Sequence, residues 1–395
     1  MEELKPGTRV LCKWKDNNFC NAYTDPAEVI QERQKPKPEY YVHYLPFNKR
    51  LDRWVDVREV RAMPAEGIPA PSSMVTRFHK RKREETNPAE HIEDPSNPEL
   101  AQFEKDHEEA TKVRNVDRVV FGRYEMQPWY YSPYLSNLLH IPTLYICEFC
   151  LKYMRSGATY KNHLKKCSLK RPPGKLIYRD SVSYGKVKSI SVYELHGNEH
   201  KLYCQNFCLL AKLFLDHKTL YFYVSPFKFY VLTEDTGKTS RIVGYFSKEL
   251  GNEEYNLACI LILPPYQQKG YGRFLIALSY ELSKREEKIG TPERPLSDMG
   301  RVCYKSYWND TVLSLIRDEG NLTLKEISDE TGIAFNDVLE TLNSFNMVKY
   351  WKGQYMLNPN PKVIEEHFRK KEQRAKKAKL RPVKFNPKKL SYKKT

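Results

Sequence analysis

The chain has 395 residues, is 40% hydrophobic and carries a formal net charge of +17, which allows two or three domains with a packed core in at least one. No apolar run is long enough to span a bilayer, and Met1-Glu2-Glu3-Leu4-Lys5 is no apolar leader. A membrane anchor, secretion and a disulfide framework for the nine cysteines are therefore not expected.

Taken in chain order, residues 5–62 alternate short β-type runs with turn residues: Arg9 to Trp14, Ala27 to Ile30, Tyr40 to Tyr44, Arg53 to Val55. Their size and spacing predict a small β-barrel. Trp14, Tyr23, Tyr44 and Trp54 have the composition of an aromatic cage for a methylated ammonium group, and equally of rings filling a small core. From 63 to 115 the composition shifts to Pro, Glu, Lys and Arg without apolar periodicity, which predicts a disordered linker. It includes Lys80-Arg81-Lys82-Arg83, a cluster of the nuclear-import type.

Next comes Cys147-x2-Cys150-x12-His163-x3-Cys167. A helix over 156–166 sets His163 and Cys167 one turn apart, facing two thiols from a tight turn. That set suits tetrahedral zinc, and four protein ligands leave no open position, so the predicted metal is structural. Leu176 to Tyr203 alternates as hairpins do, with turns at Ser183 to Lys186 and His196 to Glu199. A helix at Asn206 to Leu215 and strands at Thr219 to Val224, Phe227 to Leu232, Ile242 to Phe246 and Leu257 to Leu263 predict a mixed α/β or α+β core.

Pro264 and Pro265 stop the last strand, and a helix begins near Tyr271 with the buried-type stripe Phe274, Leu275, Leu278, Leu282. Between them, Gln267-Gln268-Lys269-Gly270-Tyr271-Gly272-Arg273 has the make-up of a phosphate cradle: glycines allow close approach, and the first helical turn offers unpaired N–H groups. It lacks the third glycine of a dinucleotide fingerprint and the Gly-Lys-Ser/Thr of a P-loop. Helices at Asp310 to Ile316, Leu324 to Thr331 and Phe335 to Phe345, then a hairpin from Val348 to Leu357, predict a winged helix-turn-helix-like region. The second of its helix pair opens with Phe335, Asn336, Asp337 and Glu340, which is no basic face for DNA. Residues 361–395 hold 14 Lys and Arg against 3 Glu, a basic tail suited to polyanions.

The Gln-x-x-Gly-x-Gly loop resembles the acetyl-CoA loop of N-acetyltransferases. Together with Cys259, Tyr280-Glu281-Leu282-Ser283-Lys284, Thr291 to Asp298, Tyr203-Cys204-Gln205-Asn206, Phe214 to Tyr221 and Val243 to Glu249, it resembles the catalytic core of the MYST-family histone acetyltransferases. Tyr41-Val42-His43-Tyr44, followed by Phe47 to Val55, resembles the chromo-barrel, or Tudor-knot, of one subgroup of that family. The likeness covers nearly the whole chain apart from the linker and the last tail. It implies an α+β fold with a GNAT-like acetyl-CoA N-acyltransferase core, a C2HC zinc finger, a winged-helix-like C-terminal region and a small N-terminal β-barrel. The implied domains are a chromo-barrel at 5–62, a linker at 63–115, an acetyltransferase domain at 116–360 and a basic tail at 361–395. Within the acetyltransferase domain, the zinc finger takes 145–170, the acetyl-CoA core 171–300 and the helix-turn-helix-like part 301–360.

The resemblance also assigns roles. Glu293 is the expected general base, and Cys259 either accepts the acetyl group or lines the site during direct attack. Acetyl-CoA is expected along Ile260, Leu261 and Ile262, around Gln267, Gln268, Lys269, Gly270, Tyr271, Gly272 and Arg273, and at Ser297. Zinc is expected on Cys147, Cys150, His163 and Cys167, and self-acetylation on Lys218. The implied activity is transfer of acetyl from acetyl-CoA to lysines of histones, H4 tails above all, in the nucleus and within a multisubunit complex, with DNA or RNA contact through the barrel and basic segments. The alternative from another class is a catalytically silent chromatin or nucleic-acid reader.

Overall fold

The computed structural model describes residues 4–12, 25–35, 37–45, 48–62, 113–134, 140–184, 187–216, 218, 221–320, 322–377 and 382–392. Trp14, Tyr23, the expected linker up to residue 112 with its Lys80 to Arg83 cluster, and Thr219 with Leu220 lie outside the described residues. The chain divides into one unit of Met1–Arg118, Gln127–Pro142 and Lys212–Asp216 and another of Val119–Met126, Thr143–Ala211 and His217–Thr395.

In the first unit, β1 (Arg9–Cys12), β2 (Asp25–Lys35), β3 (Lys37–Tyr44), β4 (Arg53–Asp56) and β5 (Val60–Ala62) form an antiparallel sheet in the order β4-β3-β2-β1-β5. Alternation sends Val10 and Cys12 inward, where they join Ala27, Val29, Val42, Tyr44 and Val55 in one core. The predicted barrel is this sheet, and among the described strands β4 and β5 are its edges. Beside it, Asn115 and Ser132 exchange two hydrogen bonds, Nδ2 to the Ser132 carbonyl at 2.8 Å and the Ser132 amide to Oδ1 at 3.1 Å.

A second sheet runs β7-β6-β8-β9, from β6 (Val116–Phe121), β7 (Tyr124–Met126), β8 (Ile141–Ile146) and β9 (Tyr153–Met154), followed by α1 (Gly157–Lys166). The central sheet comes next: β10 (Lys175–Tyr184), β11 (Val187–His196), α2 (Lys201–Lys212), β12 (Phe227–Asp235), β13 (Ser240–Glu249), β14 (Tyr255–Leu257) and β15 (Cys259–Ile262). Its strand order is β10-β11-β12-β13-β15, every pair antiparallel. Then follow α3 (Tyr271–Arg285), β16 (Thr291–Pro292), α4 (Asp298–Glu319), α5 (Leu324–Thr331), α6 (Phe335–Asn343), the hairpin β17 (Val348–Trp351) and β18 (Gln354–Leu357), and α7 (Pro361–Lys377). The mixed α+β fold agrees with the expectation, and no helix among the described residues is long and apolar enough to cross a membrane.

Several element boundaries differ from the sequence expectation. His196 to Glu199 is no hairpin turn but the entry to α2, because Tyr203, Cys204, Phe207, Cys208 and Ala211 already recur at helical spacing and are all buried. Tyr221 to Val224 is irregular rather than a strand. The apolar run 257–263 breaks at Ala258, where two residues face one: the Ala258 amide donates to the Ser247 carbonyl and the Cys259 amide to the Ser247 hydroxyl. By contrast, α3 starts at Tyr271 and buries Phe274, Leu275, Leu278 and Leu282 as its periodicity predicts.

The basic stretch from 361 is also ordered in large part, since α7 and the segment 382–392 pack on the core. Asp310 of α4 is a focus of that packing. Only 8% exposed, its carboxylate accepts from Arg273 Nη1 at 2.9 Å, His367 Nε2 at 2.7 Å and Lys371 Nζ at 2.7 Å. Burial alone would raise its pKa, but the Lys371 and His367 hydrogen bonds and the Arg273 charge hold it below the usual carboxylate range. A carboxyl with a lowered folded pKa binds fewer protons folded than unfolded, so its contribution is complete above about pH 4 and lost as pH falls through the folded value. We expect Asp310→Asn to lower unfolding free energy by about 3 kcal/mol at neutral pH, read from urea midpoints, and the difference from wild type to shrink below about pH 4.

Candidate active site

The site is assembled on β15, the edge strand of the central sheet. Leu263 donates to the Val243 carbonyl, so by two-residue alternation Leu261 also faces β13, while the amides of Ile260 and Ile262 face the open edge. Gly244 of β13, opposite Ile262, makes this pairing possible: a Cβ there would lie 2.3 Å from the Leu261 carbonyl oxygen. A parallel bridge pairs Tyr255 with Thr291 and Leu257 with Pro292, and the Glu293 amide donates to the Leu257 carbonyl at 2.8 Å. This fixes Glu293 beside the chain two residues before Cys259.

Three of the predicted residues share this region. Lys218 Nζ lies 3.8 Å from Cys259 Sγ, and Lys218 is 8% exposed whereas Glu293 is exposed. Burial drives the Lys218 ammonium toward neutrality, but the sulfurs of Cys259 and Cys208 outweigh it and hold its pKa above the free-lysine value. For Glu293, partial burial and then the negative charge of Glu249 push the carboxyl up, with Lys218 opposing. Glu249, at the end of β13, was not singled out by the sequence. No local motif marks it, because only the β13–β15 register brings it near.

The loop before α3 leads into a helix whose first-turn amides have no intrahelical acceptor. Gly270 is the N-cap, in the left-handed region at φ 91°, with no side-chain cap and no acidic residue in the first turn. The amides of Tyr271, Gly272 and Arg273 precede the first intrahelical bond, from Phe274 to the Gly270 carbonyl. Gln268 also has a positive φ, 62°, uncommon for a side-chain-bearing residue. Gln267 Nε2 donates to the Ile262 carbonyl at 2.9 Å, and the buried Tyr271 hydroxyl donates to Glu234 Oε1 at 2.6 Å, so both rivet the loop to the sheet. Gly272 leaves a would-be Cβ 3.4 Å from Cys303 Sγ.

The two cations expected beside the phosphates are engaged within the protein. Lys269 Nζ donates to the Pro265 carbonyl, and Arg273 is held by Asp310 and the Ser306 carbonyl. What this loop offers an anion is therefore backbone amides and the α3 dipole, with the two charges as background. Ser297 is the N-cap of α4, its hydroxyl accepting from the Gly300 amide at 3.1 Å.

In the N-terminal sheet, Tyr44 is 1% exposed and its hydroxyl meets Cys12 Sγ and Arg53 Nε, a core position rather than a cage wall. Trp54 is half-buried, edge-on to Tyr41, with the Arg33 guanidinium 4.2 Å from its ring centre. An internal cation thus occupies the face expected for a ligand.

The four metal-type residues converge: one ligand atom each from Cys147, Cys150, His163 and Cys167 lie within 4.8 Å of one another. The tight turn forms as the Leu151 amide bonds the Cys147 carbonyl and the Cys147 amide the Lys152 carbonyl, with Leu151 at φ 63°. The 3.9 Å between Cys147 and Cys167 sulfurs matches the roughly 3.8 Å that two zinc–sulfur bonds at a tetrahedral angle require. A hydrogen bond from Cys150, joined by backbone amides of the turn, lowers the Cys147 thiol against the effect of burial. With four protein ligands this zinc is structural. We expect one equivalent of zinc in purified protein, its loss in Cys150→Ala, and loss of thermal stability on chelation, read by metal analysis and melting curves.

With this geometry in hand, comparison with known proteins places each part. A MOZ/SAS family model matches residues 171–385, a MYST family zinc finger model residues 113–167, and a Tudor-knot model, described as the RNA binding activity-knot of a chromodomain, residues 4–62. The chain is 45% identical to the Arabidopsis thaliana histone acetyltransferase of the MYST family 1 over 93% of this chain and 82% of that protein. It is 41% identical to the Drosophila melanogaster histone acetyltransferase MOF over 87% of this chain and 48% of that protein. Against the Saccharomyces cerevisiae histone acetyltransferase ESA1 it is 36% identical over 87% of this chain and 85% of that protein. The chain belongs to the MYST family, carrying its MOZ/SAS domain, its zinc finger and a Tudor-knot.

Proposed function

We propose that this protein is a histone acetyltransferase that moves an acetyl group from acetyl-CoA to lysine amines. The observation that carries the reading is the placement of Glu293, Cys259 and Lys218 around one sheet edge, in the same sheet and helix arrangement as the uncapped N-terminus of α3. Relatives named as histone acetyltransferases align over most of the chain, which does not favour the silent reader.

In this reading the pyrophosphate of acetyl-CoA rests on the amides of Tyr271, Gly272 and Arg273, and the pantetheine arm runs along the free edge at Ile260 to Ile262. Ser297 is a polar contact at the rim. A lysine side chain enters protonated, and at pH 7.4 removing that proton costs about 4 kcal/mol. Glu293 takes it. The amine attacks the acetyl carbonyl, the developing oxyanion faces the Ile260 and Ile262 amides, and as the carbon–sulfur bond breaks coenzyme A leaves as the thiol with the proton that the nitrogen gives up in becoming an amide. A base with a raised pKa is better matched to this transfer near neutral pH than an ordinary carboxylate. Cys259 lines the acetyl site, within reach of an alternative route through an acetyl-thioester on its own sulfur.

Lys218 is read as a site of self-acetylation. Its ammonium is nearly buried beside Cys259, and acetylation would remove a charge that repels an incoming lysine. Histone H4 tails are the substrate we favour, with action on chromatin in the nucleus and in a multisubunit complex. The Tudor-knot and the basic 361–395 stretch supply nucleic-acid contact.

Activity is measured with a histone H4 peptide. Glu293→Gln should lose about a hundredfold or more in kcat/KM at pH 7.5, and Cys259→Ala should retain far more activity if transfer is direct. Wild-type kcat/KM should fall as pH drops through the raised Glu293 pKa, because only the carboxylate accepts a proton. Glu249→Gln removes a negative neighbour, so that acidic limb should move to lower pH. Mass spectrometry should find acetyl-lysine at Lys218, and Lys218→Arg should lower activity; full activity with no acetyl-lysine there would remove this residue from the reading.

A further inference from the structure

The segment 382–392 lies along the whole length of α3. At the N-terminal end, the Val383 amide donates to the Lys269 carbonyl at 3.1 Å, inside the phosphate-type loop. A Cβ on Gly270 would lie 2.9 Å from Pro382 Cβ and 3.0 Å from the Val383 backbone, so the segment is pressed against the loop's left-handed glycine. Two residues on, Phe385 stacks on Tyr178 of β10 with centroids 5.3 Å apart and meets Phe274, in the first turn of α3, edge-on at 5.4 Å. Tyr178 also meets Phe274 edge-on, closing a three-ring cluster, and its hydroxyl accepts from the Asn386 amide.

The far end is equally tied. Arg285, the last residue of α3, donates to the carbonyls of Leu390 at 2.8 Å and Pro387 at 2.9 Å, and the Tyr392 hydroxyl donates to Glu286 at 2.9 Å. The Ser391 amide bonds the Ile177 carbonyl of β10 at 2.7 Å. A 15-residue helix is about 22 Å long, and residues 382–392, which would reach more than about 30 Å if fully extended, span it with a 3-10 turn at Pro387–Lys389 taking up the excess chain.

We propose that residues 382–392 form a strap that positions the acetyl-CoA loop, with Phe385 and the Val383 amide as its anchoring groups. The proposal rests on the reading of that loop as the cofactor site. Amides at a helix N-terminus bind a pyrophosphate well only when the preceding loop already holds the binding conformation; ordering it on binding weakens affinity. Here Gln268 holds a positive φ that is unfavourable for a side-chain-bearing residue in a free chain, Gly270 holds one of the many backbone states open to glycine, and the strap bonds the residue between them. None of these strap groups reaches Cys259 or Glu293 in the hydrogen bonds described, so the strap is a positioning element. Its signature is in cofactor affinity rather than in the chemical step.

The test uses the full chain, with coenzyme A binding by calorimetry and steady-state kinetics at saturating H4 peptide. Phe385→Ala should weaken coenzyme A binding and raise KM for acetyl-CoA about tenfold, with kcat within about twofold and peptide KM unchanged. Phe385→Tyr should restore both. Val383→Pro, which deletes the amide donor and fixes the backbone of the strap at that point, should weaken coenzyme A binding in the same direction. Wild-type-like affinity in both Phe385→Ala and Val383→Pro would overturn the strap, as would a lowered melting temperature with unchanged affinity or a loss confined to kcat. If wild-type protein itself fails to bind coenzyme A, the acetyl-CoA reading falls first and the strap's role with it.

Discussion

Two short parallel bridges, Tyr255 to Thr291 and Leu257 to Pro292, hold together the chain segments on which the site depends, and the Glu293 amide bond to Leu257 completes the clasp. On one side the chain leads directly into Cys259 and the open strand edge. On the other it leads through Arg294 and Ser297 into α4. Arg294 is anchored to the buried carboxylate of Asp337, which also accepts from Thr291 at 2.7 Å, so the loop bearing Glu293 is tied at both ends. The exposed carboxylate of Glu293 thus stands on a backbone with little freedom, which is what a proton acceptor needs to meet a mobile lysine guest.

The second constraint is the bulged join between β13 and β15. Ser247 serves two successive amides, through its carbonyl and its hydroxyl, and the absence of a side chain at Gly244 lets the strands close. The same join brings Glu249 toward Glu293 and Cys259 toward Lys218. Charged and sulfur groups are therefore mixed in this region: the carboxylates of Glu293 and Glu249, the Lys218 ammonium and the thiols of Cys259 and Cys208, of which Cys208 is pushed up by burial.

At the helix end of the site the protein relies on geometry more than on charge. Lys269 and Arg273 look like phosphate ligands in a string of letters, yet each head group is held by an internal acceptor. Arg273 also joins α3 to α4 and α7 through Asp310, so the cofactor loop and the C-terminal helix share one buried carboxylate. Removing Asp310 from that cluster leaves Arg273, His367 and Lys371 without their shared acceptor.

What the sequence determined by itself is what depends on neighbours a few residues apart. The stripe of α3, its start at Tyr271 after two prolines, the Cys-x2-Cys knuckle with His163 and Cys167 one turn apart, and the hairpin turning at Lys352 and Gly353 all follow from local periodicity and turn chemistry. The roles proposed for Glu293, Cys259 and Lys218 come from family resemblance, since each alone is an ordinary loop carboxylate, core thiol or lysine. The tertiary structure alone decided the break at Ala258, the approach of Glu249, the diversion of Arg273, the core position of Tyr44 and the path of 382–392. Those features arise from bonds between residues far apart in the chain, Val383 to Lys269 and Ser391 to Ile177 among them, and many are backbone to backbone. A backbone donor leaves no mark in the identity of its residue, so only the folded chain reveals which amide it reaches.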